Sequence, residues 1–78
     1  MESSIEVSPN PSNGIFKIHN SNSKEVGFEV LSLDGRTLTS GEFGRGSNIL
    51  NLEETDPSGY LLIIQMGEKK ATKRLVIK

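Results

Sequence analysis

The sequence predicts an all-β domain: a small antiparallel immunoglobulin-like β-sandwich of about seven strands. Three observations predict it. Short segments of alternating apolar and polar residues follow one another along the chain. Each is closed by turn residues such as Asn-Gly, Asp-Gly or Pro-Ser-Gly. No stretch repeats apolar residues at i, i+3, i+4 and i+7 for long enough to make a helix. The chain has neither cysteine nor tryptophan, so the core signature of antibody domains is missing and the label describes architecture only.

The elements follow in order. Ile5 to Ser8 is a short first strand that runs into PNPSNG, residues 9 to 14. Two prolines there stiffen the chain and bias the residues before them to extended conformations, and Asn13-Gly14 supplies the positive φ that turns it into the next strand. That strand, Ile15 to Asn20, sets Phe16 and Ile18 on one face and Lys17 and His19 on the other. After the polar loop 21 to 24, Val26, Phe28 and Val30 alternate with Gly27, Glu29 and Leu31. Leu31 and Leu33 then carry apolar residues to the other parity, which implies a bulge or burial on both sides.

Asp34-Gly35 joins Val26 to Leu33 with Arg36 to Ser40, and this pair favours a type I′ hairpin with positive φ at both central residues. GEFGRGS, residues 41 to 47, is expected to be a flexible connection, and Ile49 to Leu52 a short strand. Asp56-Pro57-Ser58-Gly59 is a turn, because Pro presets φ and Gly accepts the positive φ later in it. YLLIIQM, residues 60 to 66, is the most apolar segment and is expected at the centre of a sheet, covered on both faces. Gly67-Glu68-Lys69 is a second hairpin, and ATKRLVIK completes it with Thr72, Arg74, Val76 and Lys78 on one parity and Lys73, Leu75 and Ile77 on the other.

Bulk properties exclude several function classes. Seventy-eight residues make one domain with a small core, leaving little room for a deep substrate pocket. Nine Lys and Arg against ten Asp and Glu give no basic field for phosphates, and the aromatics Phe16, Phe28, Phe43 and Tyr60 do not alternate with basic residues as a stacking groove requires. Nucleic acid is therefore not an expected partner. MESSIEV has no basic or apolar leader region, and the longest apolar run, Tyr60 to Ile64, is far too short to span a bilayer as a helix. The expectation is either a cytoplasmic protein or a piece of a longer chain whose export signal lies upstream.

The order of motifs is specific where each motif alone is weak. PNPSNG before an alternating strand (9 to 18), a hydrophobic strand ending in LDGR (33 to 36), PSGYLLII (57 to 64) and a closing KRLVIK (73 to 78) follow one another at defined spacing. This sequence closely resembles the type A C-terminal sorting domain of the type IX secretion system of Bacteroidota, over residues 7 to 78. One departure is Ser8, where many relatives carry an apolar residue.

The resemblance implies that residues 7 to 78 form a sorting domain and residues 1 to 6 a linker or cloning remainder. It implies a secretion signal that directs a larger, covalently linked N-terminal passenger across the outer membrane. Transit is periplasmic, and the passenger ends at the cell surface or is released. The implied partners are the type IX outer-membrane translocon, shuttle and sortase components. In many relatives a sortase-like protease removes the domain and joins the passenger to an anionic lipopolysaccharide. No catalysis, cofactor or small-molecule substrate is implied.

The family's motif and turn positions fall on Pro9, Asn10, Pro11, Gly14, Asp34, Gly35, Arg36, Pro57, Gly59 and Tyr60. For PNP the alternatives are a rigid turn needed for the fold and a direct contact with the machinery. Translocon recognition is assigned to Lys73, Arg74, Leu75, Val76, Ile77 and Lys78. This terminal strand could pair with a partner's edge; the plainer reading is that Leu75 and Ile77 face the core while Arg74 and Lys78 guard an edge.

Other groups carry weaker chemistry. His19 has no second histidine, cysteine or elbow serine, so a triad or metal site would have to be assembled from isolated parts. Glu53, Glu54 and Asp56 fit no EF-hand spacing, and Gly41, Gly44 and Gly46 precede no Lys-Ser/Thr pair or helix. The competing function is a non-catalytic glycan-binding or adhesive β-sandwich module, which needs an exposed aromatic platform or a calcium site and has at most Phe43 and Tyr60 to offer. An enzyme fragment lacks a convergent acid, base and nucleophile.

Overall fold

The computed structural model describes residues 5–9 and 13–78. Seven strands are present: β1 (Ile5–Ser8), β2 (Ile15–Asn20), β3 (Val26–Ser32), β4 (Thr37–Phe43), β5 (Gly46–Asn51), β6 (Gly59–Met66) and β7 (Lys69–Val76). They form two antiparallel sheets, one ordered β1-β2-β5 and the other β4-β3-β6-β7. The fourth strand joins the third rather than the fifth, which distinguishes this strand order from the constant-type immunoglobulin arrangement.

Period-two alternation builds the core between the sheets. Ile5, Phe16, Ile18, Leu50 and Leu52 point inward from one sheet. Val26, Val30, Phe43, Tyr60, Leu62, Ile64, Leu75 and Ile77 meet them from the other side. Phe28 lies flat on Phe43, with ring centroids 4.1 Å apart and planes 7° apart. The glycine opposite, Gly41, leaves room for that ring, since a Cβ there would stand 3.2 Å from it.

Four expectations are corrected, the first being that Gly59 takes a positive φ: it does not, and it opens β6 as extended strand. The β3–β4 hairpin is not type I′: among the described residues no non-glycine has positive φ, so Asp34 does not. Instead the Gly35 N–H donates to the Ser32 carbonyl at 3.0 Å and Gly35 takes φ +94°, a type I turn followed by a left-handed glycine. Four residues, 33–36, connect β3, which ends at Ser32, to β4, which begins at Thr37.

Residues 41–47 are not a flexible connection. β4 continues to Phe43 and β5 begins at Gly46. Asn48 holds the link by accepting from the Gly44 N–H at 3.0 Å and donating to the Gly44 and Gly46 carbonyls at 2.8 and 3.2 Å. β6 does lie at the centre of its sheet, but only one face is covered: Leu61 and Ile63 on the outward parity are half-buried, and no described element lies over them.

The bulge implied around Leu31 is present. The β3–β4 register shifts between Val30 and Leu31, leaving Leu38 as the extra residue, exposed on β4. At the far end, Gly67 takes φ +64° at the first position of the two-residue β6–β7 turn, as a type II′ hairpin requires.

Candidate functional site

Strand directions bring the sequence motifs to one end of the sandwich. β1, β3 and β5 run toward this end and β2, β4 and β6 run away from it. The β1–β2 connection, the β3–β4 hairpin, the β5–β6 connection and the end of β7 therefore all meet there. Segments far apart in sequence become one surface.

Each part of that surface has a local cause. Gly14 takes φ +118°, and a Cβ on it would stand 2.9 Å from the Glu53 Cα, so both conformation and space demand glycine. Its carbonyl accepts from the Leu52 N–H at 2.7 Å, which fastens the start of β2 to the end of β5. Pro9 is exposed, and the Ser8–Pro9 peptide bond is cis. Asn10 and Pro11 lie outside the described residues.

In the hairpin, the Ser32 hydroxyl donates to the Asp34 carboxylate and accepts from the Arg36 N–H at 3.1 Å. Arg36 Nε stands 3.5 Å from Asp34 Oδ2, with both side chains largely in solvent. The Ser32 bond, with a lesser contribution from the Arg36 charge, holds the Asp34 carboxyl below its ordinary 3.8 against the opposing effect of desolvation.

The Pro57-Ser58-Gly59-Tyr60 segment links the hairpin to the end of the chain. Tyr60 is buried, and its hydroxyl donates to the Asp56 carbonyl at 2.6 Å. The Ser58 carbonyl accepts from the Ile77 N–H at 2.8 Å. A Cβ added at Gly59 would meet Leu33 Cδ1 at 3.6 Å and the Arg74 guanidinium at 3.7 Å. Leu33, Gly59 and Arg74 thus share one small area, and each comes from a different motif. Beside it a surface groove of about 680 Å³ runs between the hairpin and the 54–60 connection.

A family model described as the secretion system C-terminal sorting domain matches residues 6–78. The chain belongs to this family. No curated protein matches it. The family is that of the C-terminal sorting signal of type IX secretion. Membership implies an interaction with that machinery, a linked passenger, and transit to the outer membrane, cell surface or exterior.

In this sorting domain the six residues assigned to recognition divide by parity. Arg74, Val76 and Lys78 are exposed, whereas Leu75 and Ile77 are buried in the core. Lys73 stands half-buried on the inward parity, opposite Leu62. Among the described residues β7 stands at the edge of its sheet, paired with β6 on one side. A charge turned inward on an edge strand is a recognised guard against unwanted pairing.

The remaining candidates are dispersed. His19 lies on the outward face of β2 between Glu6 and Ser47. Among the described residues no three His, Cys, Asp or Glu come together as a metal site. The aromatic platform that a glycan-binding module requires is not formed by Phe43 or Tyr60, which are 2% and 6% exposed.

Sequence reasoning missed Asn20, which is 1% exposed at the opposite end of the sorting domain. Its Nδ2 reaches the carbonyls of Lys24, Phe43 and Gly44 at 3.1, 3.4 and 3.2 Å, and its Oδ1 accepts from the Asn22 N–H and Nδ2, both at 2.9 Å. One amide thereby ties the end of β2 to the end of β4 across the two sheets. Its sequence signal was an asparagine on the same parity as Phe16 and Ile18.

Proposed function

We propose that the sandwich, from Ile5 onward, is a non-catalytic secretion signal, joined through the residues before Ile5 to an N-terminal passenger that it directs through the periplasm and the type IX translocon. Surface attachment or release of the passenger follows, a step that in this family often includes removal of the domain by a sortase-like protease. The machinery reads the motif end of the sandwich together with the exposed side of β7. The observation that carries this reading is the meeting of Leu33, Gly59 and Arg74. A fold needs its turns, but it has no need to gather the exposed residues of three separate motifs.

An edge strand suits this role because it can be offered to a partner without unfolding the sheet. Recognition then falls to the outward residues Arg74, Val76 and Lys78, while Leu75 and Ile77 hold the strand in place. Pro9, Gly14, Asp34, Gly35, Arg36, Pro57 and Tyr60 shape the end that is read.

The test is a fusion of residues 5–78, which keeps Ile5 in the core, to a foreign periplasmic reporter in a type IX-competent strain. Surface delivery is expected, and a reporter that stays in the periplasm would sink the proposal. Deleting residues 75–78 is a poor second arm, because it strips Leu75 and Ile77 from the core. The paired exchange Arg74→Glu with Val76→Glu leaves the core intact. It is expected to abolish delivery of a still-folded fusion, and undiminished delivery would remove the terminal strand from the recognised surface.

A further inference from the structure

The outward face of the four-stranded sheet has charges of opposite sign on its two halves. Cross-strand register sets its side chains in rows running from β4 through β3 and β6 to β7. One row is Glu42, Gly27, Gln65 and Lys70, and another is Thr37, Leu31, Leu61 and Arg74. Between them stand Glu29 on β3 and Ile63 on β6. The Thr37 hydroxyl donates to the Glu29 carboxylate at 2.8 Å, which draws that charge toward the Arg74 row. In these rows the carboxylates lie on β3 and β4, the cations lie on β7, and half-buried leucines and isoleucine lie between.

We propose that this face closes on a second copy of the chain about a two-fold axis parallel to the strands. That operation lays β4 over β7 and β3 over β6 while keeping each row over itself. Lys70 of the second copy then meets Glu42, Arg74 of the second copy lies over Thr37 and beside the Glu29 that Thr37 holds, and Leu31 faces Leu61. Every contact occurs twice, as a two-fold interface requires. The perpendicular two-fold axis in the same plane lays β4 on β4 and β7 on β7, acid on acid and base on base, so charge selects the first arrangement.

The surface has room for the contact. A depression of about 280 Å³ opens over Gly27 and Gly41, with Glu29 and Glu42 on one side of its lining and the chain's own Lys70 on the other. A lysine stem can lie in it with its ammonium between the two carboxylates. The net charge of minus one provides little long-range repulsion between copies. Four strands about 4.8 Å apart make a face only about 20 Å wide, so the contact falls short of a standard interface and the dimer is weak, with Kd on the order of 100 µM.

Sedimentation velocity of the 78-residue chain at low salt, at concentrations up to about 1 mM, tests this. The expected result is a monomer–dimer equilibrium that shifts to monomer as salt rises. Glu42→Lys and Lys70→Glu are each expected to weaken it by about tenfold or more, and the double exchange to restore it. Both positions are exposed, and circular dichroism confirms that each variant is folded. A chain that stays monomeric throughout overturns the proposal. So do single variants that dimerise like the parent, or a double exchange that fails to restore the dimer.

Discussion

The hydroxyl of Tyr60 donates a 2.6 Å hydrogen bond to the carbonyl of Asp56, four residues upstream. The first inward side chain of β6 thereby closes the turn that leads into its own strand, in the manner of the tyrosine corner of immunoglobulin-like sandwiches. Tyr60→Phe keeps the ring and loses only this bond. It is expected to cost about 1 kcal/mol in urea unfolding, whereas Tyr60→Ala is expected to cost about 3–5 kcal/mol by emptying the core beneath the turn. A Tyr60→Phe variant as stable as the parent would show that the bond is not a net contributor.

Two glycines with positive φ separate conformational strain from crowding. Nothing lies within 4 Å of where a Gly35 Cβ would stand, so Gly35→Ala is expected to cost about 1 kcal/mol from backbone strain alone. At Gly14 the Glu53 backbone is also in the way, at 2.9 Å, and Gly14→Ala is expected to cost about 2–4 kcal/mol. Thermal unfolding of the two variants side by side decides the matter, and equal losses would contradict the close approach to Glu53.

Asn20 is a donor facing three carbonyls and an acceptor for two N–H groups. Asn20→Ala leaves those groups without it and is expected to cost about 2–3 kcal/mol. Asn20→Asp keeps the shape but replaces the donor with an acceptor aimed at carbonyl oxygens. This variant is expected to be the less stable of the two at neutral pH and to recover as the carboxyl is protonated in acid. Urea unfolding at pH 7 and in acid measures both effects.

Asp34 has its carboxyl held low mainly by the Ser32 hydroxyl. A folded-state value below the unfolded one means that the interaction stabilises the hairpin above the ordinary 3.8 and is lost as pH falls through the lowered value. A carboxyl-carbon NMR titration is expected to place the Asp34 midpoint below 3.8. Ser32→Ala should raise that midpoint more than Arg36→Ala does, and the reverse order would reassign the main cause to the ion pair.

The parts of the fold legible in the sequence are those that depend on neighbours along the chain. Phe16 and Ile18 against Lys17 and His19 declare their faces through alternation alone, whereas the unbroken Leu75-Val76-Ile77 run leaves its inward side to be set by pairing with β6. Gly14, Gly35 and Gly67 mark turns for a local reason as well, but Gly59 opens β6 without the positive φ expected of it. Sheet membership is different, because it is settled by distant partners. Nothing in residues 37–43 says that this strand pairs with β3 alone, or that Phe43 finds Phe28 and is withdrawn from solvent.

Asn20 illustrates the same limit, since its carbonyl partners at Phe43 and Gly44 lie more than twenty residues away. The motifs were readable one by one, each as a turn with its own chemistry. Their meeting at Leu33, Gly59 and Arg74 follows only once strand directions are fixed in three dimensions.

β1 begins at Ile5, paired with Asn20, and so the chain enters the sandwich at the end opposite to the gathered motifs. Under the proposed function this gives the molecule a bow and a stern. Cargo tied ahead of Ile5 trails behind, a full strand length from the surface presented to the pore. A passenger in tow casts no shadow on that surface, and one small prow can serve freight of any shape.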